Sequence, residues 1–61
     1  MSGFEFVMKD TFGDPVTVDL EYGRVYVRAS SGARTCTASL DRNGAKKLRK
    51  ALKGALKALD E

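Results

Sequence analysis

The sequence predicts an α+β chain: a four-stranded antiparallel meander sheet (β-β-β-β-α) with one C-terminal amphipathic helix packed on one face. Three observations predict it. Apolar and polar residues alternate with period two in four short stretches before Leu40, glycines mark the breaks between them, and from Asp41 the apolar period changes to 3.6. The chain is 61 residues long, which reads as a single domain spanning 1–61 and near the lower size limit for folding without a staple.

The expected strands cover about 3–10, 15–22, 24–29 and 33–40. In the first, Phe4, Phe6 and Met8 alternate with Glu5, Val7 and Lys9. In the second, Val16, Val18, Leu20 and Tyr22 alternate with Thr17, Asp19 and Glu21. Val25 and Val27 set the apolar side of the third strand, against Arg24, Tyr26 and Arg28; Cys36, Ala38 and Leu40 set that of the fourth, against Thr35, Thr37 and Ser39. Such alternation is that of a sheet with one face covered and one face wet.

A turn at Tyr22-Gly23 sets Leu20 opposite Val25 and Val18 opposite Val27, with Glu21 opposite Arg24 as an ordinary cross-strand ion pair. A turn at Ser31-Gly32 would set Val27 opposite Cys36 and Val25 opposite Ala38. The first hairpin needs an odd-length loop; Phe12-Gly13-Asp14, with a bulge at the glycine, pairs Met8 with Val18 and Phe6 with Leu20. In all of these registers Cys36 points inward as a small core residue.

The helix is expected over about 42–59. Ala45, Leu48, Ala51, Leu52, Ala55, Leu56, Ala58 and Leu59 share an arc of about 160° at 100° per residue. Asp41 is the natural N-cap, with Asn43 a second candidate, and Gly54 is the one interior breaker after the first turn. A helix about 10 Å in diameter cannot cover the apolar face of a sheet roughly 14 Å across between its outer strand axes. A homodimer is therefore expected, formed through the edge of the fourth strand, the leucine arc of the helix, or both.

Composition narrows the chemistry. There is no histidine and only one cysteine, so neither an internal disulfide nor a zinc site of the usual ligand sets is expected, and the commonest general base at neutral pH is missing. The expectation is a protein that is not an enzyme, with no catalytic residues, no cofactor and no metal. Asp10, Asp14, Asp19 and Glu21 lack the spacing of a cation-binding loop and read as turn and surface residues. No apolar run approaches the roughly 20 residues that span a bilayer, and no signal-peptide core follows Met1, which points to a soluble cytoplasmic chain without a membrane partner.

The chain carries 11 Lys and Arg against 8 Asp and Glu, a net charge of +3. That charge is concentrated in the C-terminal third, where Arg42, Lys46, Lys47, Arg49, Lys50, Lys53 and Lys57 face only Asp41, Asp60 and Glu61. Lys46, Arg49, Lys50, Lys53 and Lys57 lie opposite the apolar arc and repeat turn by turn, a pattern able to follow a phosphate backbone by releasing its counterions. Lys46 and Lys47 stand near the positive end of the helix dipole, where stability alone favours acids. On the outward sheet face, Tyr26 between Arg24 and Arg28 is a second candidate, an aromatic platform for bases flanked by guanidinium groups. Phe12 at a turn tip, Thr35 and Thr37 on the fourth strand and Leu59 at the helix end are candidate partner-binding residues.

The segment Lys9-Asp10-Thr11-Phe12-Gly13-Asp14-Pro15-Val16-Thr17-Val18-Asp19-Leu20-Glu21-Tyr22 resembles the strand, glycine turn and strand of the single-stranded DNA-binding domain in the positive cofactor four family of transcriptional coactivators. Ala38-Ser39-Leu40-Asp41 leading to Ala45, Leu48 and Leu52 is similar to that family's strand-to-helix junction. The resemblance implies a dimer that grips single strands with basic and aromatic residues on curved sheets. The functional expectation is thus a small basic homodimer that binds single-stranded nucleic acid, most readily DNA, without catalysis. Its rival is a compact phage-type regulator or inhibitor that docks on a larger host complex, in which case the basic stripe meets an acidic protein surface.

Overall fold

A computed structural model of the chain describes residues 3–61. Strands β1 (Glu5–Lys9), β2 (Pro15–Glu21), β3 (Arg24–Ser31) and β4 (Arg34–Leu40) precede a single helix, α1 (Arg42–Leu59). The sheet order is β1-β2-β3-β4 and all neighbours are antiparallel, so β1 and β4 are its edges. The expected meander and helix are both present, with element ends within two residues of expectation.

Turn chemistry sets the registers. Tyr22 and Gly23 both have positive φ, at 52° and 73°, the type I′ pattern that suits the right-handed twist of a hairpin. This closes Leu20 on Val25, Val18 on Val27 and Glu21 on Arg24, as expected. The other two hairpins differ from expectation by two residues. At the third, Ser31 pairs with Arg34 and the turn is Gly32-Ala33 instead of Ser31-Gly32. Gly32 takes the positive φ, 61°, at the first central position, as a type II′ turn requires. Val27 therefore meets Ala38, Val25 meets Leu40, and Ala29 meets Cys36.

At the first hairpin Lys9 pairs with Pro15, so the loop is the five residues Asp10 to Asp14 instead of Phe12-Gly13-Asp14. Phe6 meets Val18 and Met8 meets Val16. Asp10 builds this loop, its Oδ1 accepting from the amides of Phe12 (2.8 Å) and Asp14 (2.9 Å) while its own amide donates to the Asp14 carbonyl (2.8 Å). Gly13, at φ 85°, donates to the Asp10 carbonyl at 3.0 Å. These are the local side-chain-to-backbone bonds for which aspartate is favoured in turns.

Helix α1 follows β4 with only Asp41 between them. Asp41 is the N-cap, its Oδ1 accepting from the Gly44 amide at 2.8 Å. A Cβ at position 44 would crowd that carboxylate at 3.3 Å while meeting Leu40 at an ordinary 3.5 Å, so glycine fits beside the cap despite its poor helix propensity. The chain thus turns abruptly, and only the first turns of α1 lie against the Leu20, Val25 and Leu40 end of the sheet. Beyond them the helix leaves the sheet, and leucine exposure climbs from 39% at Leu48 to 77% at Leu59.

Coverage is where the structure departs furthest from a finished core. Among the described residues none is buried. Phe6 and Met8 on the apolar sheet face remain about half exposed. Cys36 is on that face too, opposite Ala29, but it is exposed and not the small core residue expected. The radius of gyration is 12.9 Å, against about 10.5 Å for a compact chain of this length.

Candidate nucleic-acid interface

Alternation divides the expected contact residues between two faces. Val25 and Leu20 look toward α1, so Arg24, Tyr26 and Arg28, out of phase with Val25 on β3, lie on the opposite side of the sheet. Lys46, Arg49, Lys50, Lys53 and Lys57 stand on α1. The eight residues therefore form two surfaces, back to back, and not one continuous site.

The sheet surface is electrically balanced. Lys9, Arg24 and Arg28 share it with Glu5, Asp19 and Glu21. Arg28 Nη1 donates to Asp19 Oδ2 at 2.5 Å, a diagonal cross-strand pair in which both side chains are partly shielded from water. The other carboxylate oxygen of Asp19 is buried without a hydrogen-bond partner, so this acid relies on Arg28 for compensation. Arg28 is thereby held to a carboxylate and is a poor free anchor for phosphate. Among the described residues it makes the one ion pair formed; Glu21 and Arg24, although opposite one another, do not close.

The helix surface is not balanced. Residues 42–59 contain seven cations and no acid, and none of the seven forms an ion pair among the described residues. The spacing also brings in a residue the sequence reading left aside. Arg42, Lys46, Arg49, Lys53 and Lys57 follow one another at steps of four, three, four and four, so Arg42 heads a nearly straight row along the helix.

Where the row meets the sheet it borders a shallow groove. Leu20, Val25 and Ala45 give it an apolar floor, Gly23 closes one end, and Arg42, Lys46 and Arg49 supply charge. Tyr22, next to Gly23 in the turn, is 91% exposed. It is also the one non-glycine residue with positive φ among the described residues. A bulky side chain in the left-handed region carries strain of about 1–2 kcal/mol, and strained, exposed residues concentrate at binding sites. The sequence marked Tyr22 only as the first residue of the Tyr22-Gly23 turn and the last apolar position of the second stretch, and neither signal singles it out as a contact residue.

The expected partner-binding residues are scattered. Phe12 is 88% exposed at the tip of the β1–β2 loop, at the end of the sheet away from the groove. Thr35 and Thr37 lie exposed along edge strand β4, Thr35 within 3.2 Å of the Ser30 hydroxyl. Leu59 ends the apolar arc of α1. Among the described residues no cluster of three or more Asp, Glu, Cys or His side chains is placed to hold a metal ion, and no helix is long and apolar enough to cross a membrane. No protein-family model, no curated protein and no solved structure matches this chain.

Proposed function

We propose that the chain is a nucleic-acid-binding module that grips the phosphate backbone with the row Arg42, Lys46, Arg49, Lys53 and Lys57 and stacks bases at the groove beside Tyr22. The observation that carries this reading is the acid-free helix, whose cations are left without carboxylate partners. Stability alone does not favour that arrangement, because interspersed acids on a helix face add i, i+4 pairs and offset self-repulsion. The apolar floor of the groove and the exposed tyrosine favour single strands, whose unstacked bases offer flat faces to aromatic side chains. The resemblance of the β1–β2 hairpin and the β4–α1 junction to a single-stranded DNA-binding family points the same way. The balanced face around Arg24, Tyr26 and Arg28 takes a secondary place.

The test is fluorescence anisotropy with labelled single-stranded and duplex oligonucleotides between about 50 and 200 mM salt. Five phosphate contacts give a log–log slope near −3.5 for a single strand, which is roughly a hundredfold loss of affinity over that range. An affinity indifferent to salt overturns the reading. Lys53→Gln removes one contact and lowers the slope by about 0.7. Asp19→Asn, which releases Arg28 on the sheet face, leaves binding unchanged if the helix is the phosphate site.

A second reading, docking on an acidic surface of a larger protein complex, is favoured by Phe12, a large apolar side chain standing 88% exposed on a rigidly bonded loop. Capture of one stoichiometric protein after nuclease treatment, lost in Phe12→Ser, supports that alternative.

A further inference from the structure

We infer that a second copy of this chain covers the apolar arc of α1, the two helices pairing antiparallel about a two-fold axis at Leu52, and that the fold forms only in this pair. The inference rests on apolar surface and area, independently of any nucleic acid.

Area comes first. The chain exposes 5417 Å², whereas a compact protein of its 6.6 kDa mass exposes about 3900 Å². The excess, about 1500 Å² per chain, makes an interface of about 3000 Å² when two chains share it, within the range of obligate homodimers. The excess is also apolar where it matters. Leu48, Leu52, Leu56 and Leu59 on the helix and Phe6, Met8 and Leu20 on the sheet are all exposed, and no described residue is buried. A sheet and a helix that each lack cover must gain it whenever the chain is folded, which calls for a partner always present at folding.

The helix pattern says which partner. Ala45, Leu48, Leu52, Leu56 and Leu59 are spaced three, four, four and three, and this reads the same in both directions from Leu52. An antiparallel copy centred there sets Leu52 on Leu52, Leu48 on Leu56 and Ala45 on Leu59, apolar on apolar throughout. An isologous two-fold contact has this self-complementarity by definition, and a partner of unrelated sequence gives no reason for it. The two-fold keeps Lys46, Arg49 and Lys53 on the same side of both helices, so the two basic rows gather along one flank of the pair while Ala51, Ala55 and Ala58 line the other. Asp60 and Glu61 come beside the partner's cationic first turn, and that turn comes beside the negative end of this helix. The apolar sheet faces then lie toward the shared helix layer.

Sedimentation equilibrium and circular dichroism of nuclease-treated, nucleic-acid-free protein test this over about 1–100 µM. The expected result is a mass of two copies, with a melting midpoint that rises with concentration as for any folding step coupled to association. Leu52→Glu places two carboxylates on the axis and is expected to yield a single-copy mass with loss of the folded spectrum. Leu52→Met keeps volume and apolarity and is expected to retain both. Leu52 touches little of its own chain, so a folded monomer tolerates either change. A folded wild-type monomer, a mass above two copies, or Leu52→Glu with wild-type mass and midpoint overturns the inference. A chain unfolded alone that orders only on anionic lipid vesicles or only on an oligonucleotide overturns it as well, in favour of that surface. A dimer that binds no oligonucleotide leaves the pairing standing and removes the nucleic-acid reading alone.

Discussion

Tyr22 brings the competing demands on this chain to a single residue. A type I′ turn wants asparagine followed by glycine, and the glycine is in place at position 23, but an exposed tyrosine occupies the first central position at φ 52°. Replacing it by Asn relieves part of the left-handed strain without disturbing the Leu20–Val25 register. Tyr22→Asn is expected to stabilise the fold by about 0.5–1 kcal/mol, a rise of about 4 °C in melting midpoint at fixed protein concentration. If Tyr22 stacks bases, the same variant weakens single-strand binding several-fold while its salt slope stays constant. A variant that is more stable and binds as well as wild type removes Tyr22 from the site. Asp10 and Asp41 contrast with it, because their carboxylates are spent on backbone amides. The role of Asp41 was legible in the sequence, since an aspartate three residues before a helical amide is a natural cap, whereas Asp10, read as the end of the first strand, builds a loop two residues longer than the alternation placed there. The exposure of Tyr22 was not legible, because placing it at the first central position of the turn does not say where its ring goes.

At the scale of elements, alternation predicted which side chains share a face but not how far each strand slides. A slip of one residue would put Val27 among polar neighbours, and nothing in the sequence permits it. A slip of two keeps every face intact, so Met8 meets Val16 as readily as Val18, and turn geometry decides. Two hairpins were misplaced by that amount, at Asp10–Asp14 and at Gly32-Ala33, while Tyr22-Gly23 was placed correctly; its glycine stands second, as in a type I′ turn, whereas Gly32 stands first, as in a type II′ turn. The helix was the easiest element to read, with a capping aspartate, an apolar arc and a change of period. Its stability can be moved in both directions. Gly54 has open space around its Cα and lies off the apolar arc, so Gly54→Ala is expected to stabilise by about 1 kcal/mol. Asp41→Ala removes the cap and costs about 1 kcal/mol. Urea midpoints measured by far-ultraviolet circular dichroism check both. If Gly54→Ala fails to stabilise, position 54 is packed against something, and the outward placement of the basic side is wrong.

For the whole molecule, the sequence told which surfaces avoid water and that one helix is too narrow to cover the sheet, but not how little of the sheet the helix would meet. Leu48, Leu52, Leu56 and Leu59 read as core and are exposed, and Cys36 reads as core and is exposed for the same reason. One helix attached directly to an edge strand points away from most of the sheet it was expected to cover. Pairing of two chains turns this geometry into a functional consequence. Antiparallel helices carry their rows of Arg42, Lys46, Arg49, Lys53 and Lys57 in opposite directions on one assembly, so a strand long enough to reach both is held at two places. Joining two sites through one ligand raises apparent affinity without a new contact, by factors that reach about 10²–10⁴ when the ligand spans them well. A labelled single strand of about 8 nucleotides should therefore bind modestly, with one strand per chain, and one of about 24 nucleotides should bind at least tenfold more tightly, with one strand per two chains. The long strand should also show the steeper salt dependence, because it neutralises both rows. Leu52→Met should preserve this length dependence, whereas Lys53→Gln should flatten the salt slope for both strands and leave the mass of the assembly unchanged. An affinity that grows only in proportion to the number of nucleotides offered means that the two rows act separately.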